Sequence, residues 1–273
     1  MGWPALGKGV VILRLAKNRF EIGDRVPPEA AGWARFPVKA DRPTLTLEVP
    51  GDQGAPTYVN IDTGDDAGVK LAPEIWRRWK ARHAGGPFTL EAGYMPGSGV
   101  YVDEVGWDEA WSMGGVPSRG VPISEENVAE TKVGPKGATA TLGLIALRRI
   151  DLVIDKTHGV AYARSVAMRP KPFPHNRLGA VFVPRSIEKD DLVALVADGS
   201  PAALAGIRDG DLLVKINRLD VTKWRTQPGI LPLSRFFEQP PGTKLVLTLL
   251  RGGRTFRVTA VLQDIMGPPA NAR

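Results

Sequence analysis

The most restrictive feature of this chain is a short run in its C-terminal third that carries a helix start, a helix stop and a strand in close succession. Ser200 followed by Pro201 is typical of a helix N-terminus, because serine caps free N–H groups and proline fits the first helical position. Gly206 is placed to end that helix, and residues 212–216 form an apolar run that favours a buried strand. The run therefore predicts a small helix packed against a strand.

The segment around this run resembles a PDZ domain over residues 177–263, with the core of the match at residues 197–217. The resemblance implies a fold that binds a C-terminal or extended peptide as an added strand beside a second helix. In the family an apolar-Gly-apolar turn directs backbone N–H groups at the peptide end. The peptide-binding residues expected on this basis are Leu178, Gly179, Ala180, Val181 and Phe182.

Later segments supply the other parts of such a domain. Residues 233–238 are expected to form the groove helix. Residues 244–250 and 255–262 are expected to pair as a closing hairpin, because the Gly252-Gly253 dipeptide between them is a strong turn signal.

A second feature is the stretch Ile61-Asp62-Thr63-Gly64, in which an alternating strand pattern delivers one carboxylate into a turn. Gly64 permits the tight bend that follows. Many Asp-Thr-Gly tripeptides are ordinary turns, so the stretch alone is weak evidence. Asp65 and Asp66 follow directly and are expected to raise the proton affinity of Asp62 if they face it.

With its surroundings, the stretch resembles one lobe of a retropepsin-like aspartic peptidase over residues 38–165. Thr141-Leu142-Gly143-Leu144 matches the second apolar-Gly element of that family. The resemblance implies a closed β-barrel lobe in which Asp62 is catalytic, Thr63 braces it and Gly64 shapes the turn. It further implies that Gly93 to Gly115 contain a flap over the substrate, for which a plain surface loop is the alternative.

Aspartic peptidases hydrolyse peptide bonds with a water activated by two carboxylates that share one proton. This lobe supplies one, so activity requires a second aspartate from a homodimer mate or from another lobe. An internal repeat favours the second source: residues 2–22 resemble residues 143–162 at an offset of 141 positions (143 − 2). Residues 1–37 are then expected to be the remnant of a preceding lobe and its connector, although chance similarity of two hairpins is the alternative.

Composition sets the class and excludes several functions. The 31 glycines and 24 prolines, scattered among short β-branched runs, favour an all-β chain with minor helices, the longest at residues 73–83. No apolar run is long enough to span a membrane, and no signal peptide is recognised. The three histidines are far apart, so neither a metal site nor a cofactor is expected. The net charge of +7 includes one basic patch, expected to be a solvated helix face and not a nucleic-acid surface.

The sequence therefore predicts, in order, the lobe remnant at residues 1–37, the peptidase lobe at 38–166, a proline-rich linker at 167–176, the PDZ domain at 177–263 and a tail at 264–273. The predicted function is an aspartic endopeptidase acting on a peptide or protein substrate, of an exported or periplasmic bacterial type. The alternatives are a catalytically inactive peptide-binding scaffold and an inert fragment of a bilobed enzyme.

Overall fold

The computed structural model describes residues 9–39, 44–51, 56–95, 99–126, 138–167, 174–186 and 188–266. The chain divides into two compact units. The first is drawn from residues 1–84 and 107–170, and the second from residues 85–106 and 171–273.

Strands dominate both units, and the helices are few and short, which confirms the mostly β class expected from the sequence. The strands are β1 (Val10–Arg14), β2 (Arg19–Gly23), β3 (Ala34–Pro37), β4 (Leu45–Pro50), β5 (Pro56–Ile61), β6 (Val69–Leu71), β7 (Thr89–Met95), β8 (Gly99–Asp108), β9 (Ser112–Met113), β10 (Val116–Pro117), β11 (Val121–Glu125), β12 (Ala138–Leu142), β13 (Ile150–Asp155), β14 (Val160–Ser165), β15 (Ala180–Pro184), β16 (Leu192–Val196), β17 (Leu212–Ile216), β18 (Leu219–Asp220), β19 (Lys244–Arg251) and β20 (Arg254–Val261). The α-helices are α1 (Pro73–Arg82), α2 (Leu144–Leu147), α3 (Pro201–Leu204) and α4 (Ser234–Phe237), and two 3₁₀ turns lie at Leu15–Lys17 and Pro28–Gly32.

The first sheet of the first unit has the order β2-β1-β13-β14-β3, and two equivalent hairpins meet at its centre. Ile12 pairs with Val153, and 153 − 12 gives the repeat offset of 141. The register within each hairpin also agrees, because Val10 pairs with Gly23 and the residues 141 positions later, Asp151 and Arg164, pair with each other. The two hairpins are therefore related by a local two-fold axis through the β1–β13 pairing.

The second sheet of the first unit contains β4, β5, β12, β6 and β11 in that order. Its β5 and β12 strands are parallel, while β6 runs antiparallel to β12. Its order begins at β4 and does not return to it, so within the described ranges the unit consists of open sheets. The closed β-barrel that the retropepsin resemblance implied is not found there.

The second unit is built on the sheet β15-β16-β17-β19-β20, with β18 paired to β17. One apolar core, which includes Phe182, Leu213 and Leu247, lies between this sheet and the two helices α3 and α4. The predicted strand at residues 212–216 and the turn at Gly252-Gly253 are both present. The β7–β8 hairpin also belongs to this unit. It covers part of the segment expected to form a flap, and β7 approaches β15.

In the portion of the chain that the structure describes, no helix has both the length and the apolar character needed to cross a bilayer.

Candidate functional site

The Asp62 turn lies at the end of β5 and is open to solvent. Asp62, Thr63 and Gly64 are all exposed, although Ile61 just before them is buried. The Asp62 Oδ1 atom accepts a hydrogen bond of 2.8 Å from the backbone N–H of Gly64. This bond, from a side chain to the backbone two residues on, is that of an ordinary Asx turn.

The structure brings this turn together with the second apolar-Gly element noted in the sequence. The Asp62 N–H donates to the Leu142 carbonyl at 3.0 Å, and the Leu144 N–H donates to the Asp65 carbonyl at 2.7 Å. Gly143 must be glycine because a Cβ atom there would lie 2.4 Å from the Ala67 carbonyl oxygen. The two elements therefore fix each other through backbone contacts.

The extra carboxylate of Asp65 is neutralised by a lysine that the sequence reasoning missed. Lys70 is buried, and its Nζ atom lies 3.0 Å from Oδ2 of Asp65. Oδ1 of Asp65 accepts from the Ala67 N–H at 2.9 Å. All three residues of β6 are buried, and a buried lysine requires a charged partner, but this burial is seen only in the structure.

We expect Lys70→Met to lower the free energy of unfolding of the first unit by about 2 kcal/mol, because it leaves the half-buried Asp65 carboxylate without its cation. Lys39→Met is the matched control. Its ammonium lies 3.7 Å from Glu48 in a partly exposed pair, so the change should be about 0.5 kcal/mol or less. Urea unfolding followed by hydrogen exchange of peptides from β6 measures the stability change of each variant. Equal changes would contradict a stabilising role for the Lys70–Asp65 ion pair.

In the second unit, the loop expected to bind peptide is present, and it uses its side chains for packing. Leu178, Ala180 and Phe182 are buried in the core of the unit, and Val181 is buried as well. Gly179 has a φ of +71° and makes the turn into β15. Only the backbone of this loop is therefore available to a ligand.

The hydrogen-bonding direction of β15 follows from its two flanking bonds. The Ala197 N–H donates to the Gly179 carbonyl, and the Arg185 N–H donates to the Asp191 carbonyl. Since backbone groups alternate in direction along an antiparallel strand, odd-numbered residues of β15 face β16. Ala180 and Phe182 therefore direct their N–H and C=O groups away from β16, along the outer side of the sheet.

Helix α4 contacts β15 and the residues just before it. The Phe237 ring packs against the Phe182 ring with centroids 5.9 Å apart, and the Phe237 carbonyl accepts from the Arg177 N–H at 2.9 Å. The Arg177 side chain donates to Asp264 at 2.6 Å and to the Glu238 carbonyl at 2.8 Å. The loop, the strand and the helix are thus held in one rigid arrangement.

A buried ion pair fixes the turn between α3 and β17. The Asp211 carboxylate is 1 % exposed and accepts two bonds from the Arg251 guanidinium, at 2.6 and 2.7 Å, and one from the Arg208 N–H at 2.9 Å. Burial opposes ionisation of Asp211. The bonds from Arg251 and Arg208 together outweigh it and hold the pKa of this carboxyl below its ordinary value of 3.8.

No cluster of three His, Asp or Glu side chains suited to a metal ion occurs in the residues that the structure describes.

Comparison with known proteins gives a domain match and several distant structural likenesses. The PDZ domain model matches residues 192–251. A variant of the HtrA-type protease AlgW with a decapeptide is 14 % identical, with 84 % of this chain and 77 % of that chain covered and a TM-score of 0.24. The same type of protease with a tripeptide is 15 % identical, covering 97 % and 95 %, with a TM-score of 0.27. A serine endoprotease from Yersinia pestis is 14 % identical, covering 93 % of each chain, with a TM-score of 0.22. No curated protein matches the sequence.

The prediction of an aspartic endopeptidase is not upheld. The structures named above are HtrA-type proteases and a serine endoprotease, and none of the three is named as an aspartic peptidase. The position of Asp62 also argues against a catalytic role, because its carboxylate is exposed and accepts a hydrogen bond within a local turn. At these TM-scores the likeness transfers no serine mechanism to this chain. The retropepsin-like assignment therefore has no support from the comparisons, and no hydrolytic step is assigned to Asp62, Thr63 or Gly64.

The prediction of a PDZ domain in the C-terminal third is confirmed, because the family model matches residues 192–251, which contain β16, β17 and β19 of the second unit. The second unit of this chain contains a PDZ domain.

Proposed function

We propose that this chain is a peptide-binding protein whose PDZ domain takes an extended segment of a peptide or protein as an additional strand along β15. The observation that carries the proposal is the outward direction of the Ala180 and Phe182 backbone groups, in a strand whose Phe182 ring packs against Phe237 of α4. Backbone groups that point outward along an edge strand are a template for a further strand. One of them, the Ala180 carbonyl, accepts a hydrogen bond from the Asn176 side chain at 2.8 Å.

The peptide-binding roles predicted for Leu178, Gly179, Ala180, Val181 and Phe182 belong to this proposal. Ala180 and Phe182 direct backbone groups outward, whereas Leu178, Gly179 and Val181 shape the loop and the start of β15. The side chains of Leu178, Ala180 and Phe182 are buried in the core, so they position the backbone of the site and do not themselves bind a ligand. The domain at residues 177–263 is proposed on the same basis. Asn176, which lies in the predicted linker at 167–176, is buried and belongs to the second unit. Assembly as a homodimer stays a prediction, and light scattering against the monomer mass of 29.4 kDa measures it.

A ligand-side experiment tests strand addition without altering the protein. Decapeptides selected on an array are resynthesised with a single N-methyl group at each successive position. Methylation removes one donor, so positions whose N–H faces β15 should bind about tenfold more weakly. Positions between them should change by less than about threefold, since their N–H groups point away from the strand.

The expected readout is therefore an alternation of dissociation constants with a period of two residues, measured by calorimetry. Weakening that is uniform along the peptide, or confined to one residue, would rule out an added strand. Failure of every array peptide to bind would rule out the proposed function itself.

A further inference from the structure

Asn176 lies immediately before the peptide-binding loop, is 8 % exposed, and makes four hydrogen bonds through its side-chain amide. Its Oδ1 atom accepts from the N–H groups of Leu178 at 3.0 Å and Gly179 at 3.2 Å. Its Nδ2 atom donates to the carbonyls of Ala180 at 2.8 Å and Leu90 at 2.7 Å. Two donors meet the oxygen and two acceptors meet the nitrogen, which fixes the orientation of the amide.

Three of these partners are the groups that the end of a bound peptide would need. A terminal carboxylate seated in the loop accepts from the Leu178 and Gly179 N–H groups. The last peptide N–H of that ligand donates to the outward carbonyl of Ala180. The Asn176 oxygen stands where a carboxylate oxygen would lie, and its NH₂ group stands where the ligand N–H would lie.

The positive charge next to Asn176, that of Arg177, already has hydrogen-bond partners within the protein. The Arg177 guanidinium, which could attract a terminal carboxylate, donates to Asp264 at 2.6 Å and to the carbonyl of Glu238. A ligand carboxylate would therefore compete with an existing ion pair as well as with the Asn176 amide.

The strand β7 holds Asn176 in this position. Besides the bond to the Leu90 carbonyl, the Thr89 Oγ1 atom donates to the Asn176 backbone carbonyl at 2.6 Å. Displacing the amide would leave the carbonyls of Ala180 and Leu90 to find new donors, at a cost in free energy for each buried group left unpaired.

We propose that the Asn176 carboxamide fills the subsite for a peptide C-terminus, so that this PDZ groove binds internal extended segments and gains nothing from a free terminal carboxylate. This inference rests on the proposed function and names its ligand class. A ligand chain pairs with the part of β15 beyond Ala180 and turns away before the loop. At the loop, the Asn176 side chain makes the contacts that a peptide C-terminus would make.

The test uses the full chain and a set of decapeptides, each synthesised both as a C-terminal acid and as a C-terminal amide. For the wild-type protein, the dissociation constants of the two forms should agree within about threefold. Asn176→Ala frees the Leu178 and Gly179 N–H groups. The Asn176→Ala protein should then bind the acid form with a dissociation constant at least about tenfold lower than that of the amide form, because hydrogen bonds to a charged acceptor are strong.

Thr89→Ala is the matched control, because it removes a bond to the Asn176 backbone and leaves the carboxamide in place. It should show no preference for acids. Circular dichroism and thermal unfolding establish whether each variant folds. If Asn176→Ala does not fold, the ratio of the acid and amide dissociation constants of the wild-type protein tests the inference by itself.

A wild-type preference for acids of tenfold or more would overturn the inference while leaving the proposed function intact. A folded Asn176→Ala protein that binds both forms equally would also overturn it, since the freed N–H groups would then not be the terminal subsite. Binding of neither form by the wild type would overturn the proposed function and the inference together.

Discussion

Asp211→Asn is expected to lower the free energy of unfolding of the second unit by about 3 kcal/mol. The change keeps the size of the side chain and an oxygen for the Arg208 N–H, but it removes the charge that receives two bonds from Arg251. An amide NH₂ group would then face the guanidinium inside the protein. The Arg251 side chain is 36 % exposed and keeps part of its hydration, but the amide that replaces the carboxylate stays almost fully buried and presents a donor where an acceptor is needed.

Asp198→Asn is the control for this prediction, since Asp198 is exposed in the same unit and its replacement should change stability by less than about 0.5 kcal/mol. Urea unfolding read by hydrogen exchange of peptides from β17 and β19 separates the second unit from the first. Equal stability of the two variants would show that the Asp211–Arg251 pair is not a source of stability.

The same pair predicts a dependence on pH. The folded pKa of Asp211 lies below its ordinary value of 3.8, so its contribution is fully present above about that pH and is lost as the pH falls through the folded pKa. The stability difference between wild type and Asp211→Asn should therefore be constant at neutral pH and should narrow below about pH 4.

Gly179→Ala is expected to destabilise the second unit by a similar amount, about 4 kcal/mol. The backbone there has a φ of +71°, which strains any residue with a Cβ atom. The added Cβ would also lie 2.3 Å from the Cβ of Ser200. Ser200 cannot move away freely, because its side chain caps α3 by accepting from the Ala203 N–H at 3.2 Å.

Gly199→Ala separates these two costs. Gly199 has nearly the same φ, +68°, and nothing lies within 4 Å of the position its Cβ would take. Its replacement should cost only the backbone strain, about 1 kcal/mol. Thermal unfolding of both variants gives the difference, and closely matched melting temperatures would remove the steric argument at Gly179.

The elements of the PDZ domain could be predicted from the sequence because their signals are local. Ser200 and Pro201 do begin α3, the residues at 212–216 form β17 as expected, and α4 occupies Ser234–Phe237 within the predicted 233–238. The helix predicted at 73–83 is α1, one residue shorter. Each of these elements depends on neighbouring residues, and a single sequence shows such patterns directly.

The interpretation of Asp62 shows where such reasoning fails. The Asp62-Thr63-Gly64 tripeptide predicts a turn, and the structure contains that turn. Whether the Asp62 carboxylate can catalyse a reaction depends instead on the groups that surround it in space, which the tripeptide does not show. The partner of Asp65 is a lysine whose significance appears only when β6 is placed in its sheet. Asn176 likewise bonds to Leu90, 86 positions away, and no pattern within either segment indicates that contact.

The two-fold arrangement of hairpins in the first unit has a practical consequence for protein production. Strand β13 is an interior strand because β1, from near the start of the chain, covers one of its sides. A fragment that starts after Gly23 would expose the fully buried stretch Leu152–Ile154 as an apolar template for other molecules. Such a fragment should aggregate during expression, whereas one that retains residues 10–23 should remain in solution.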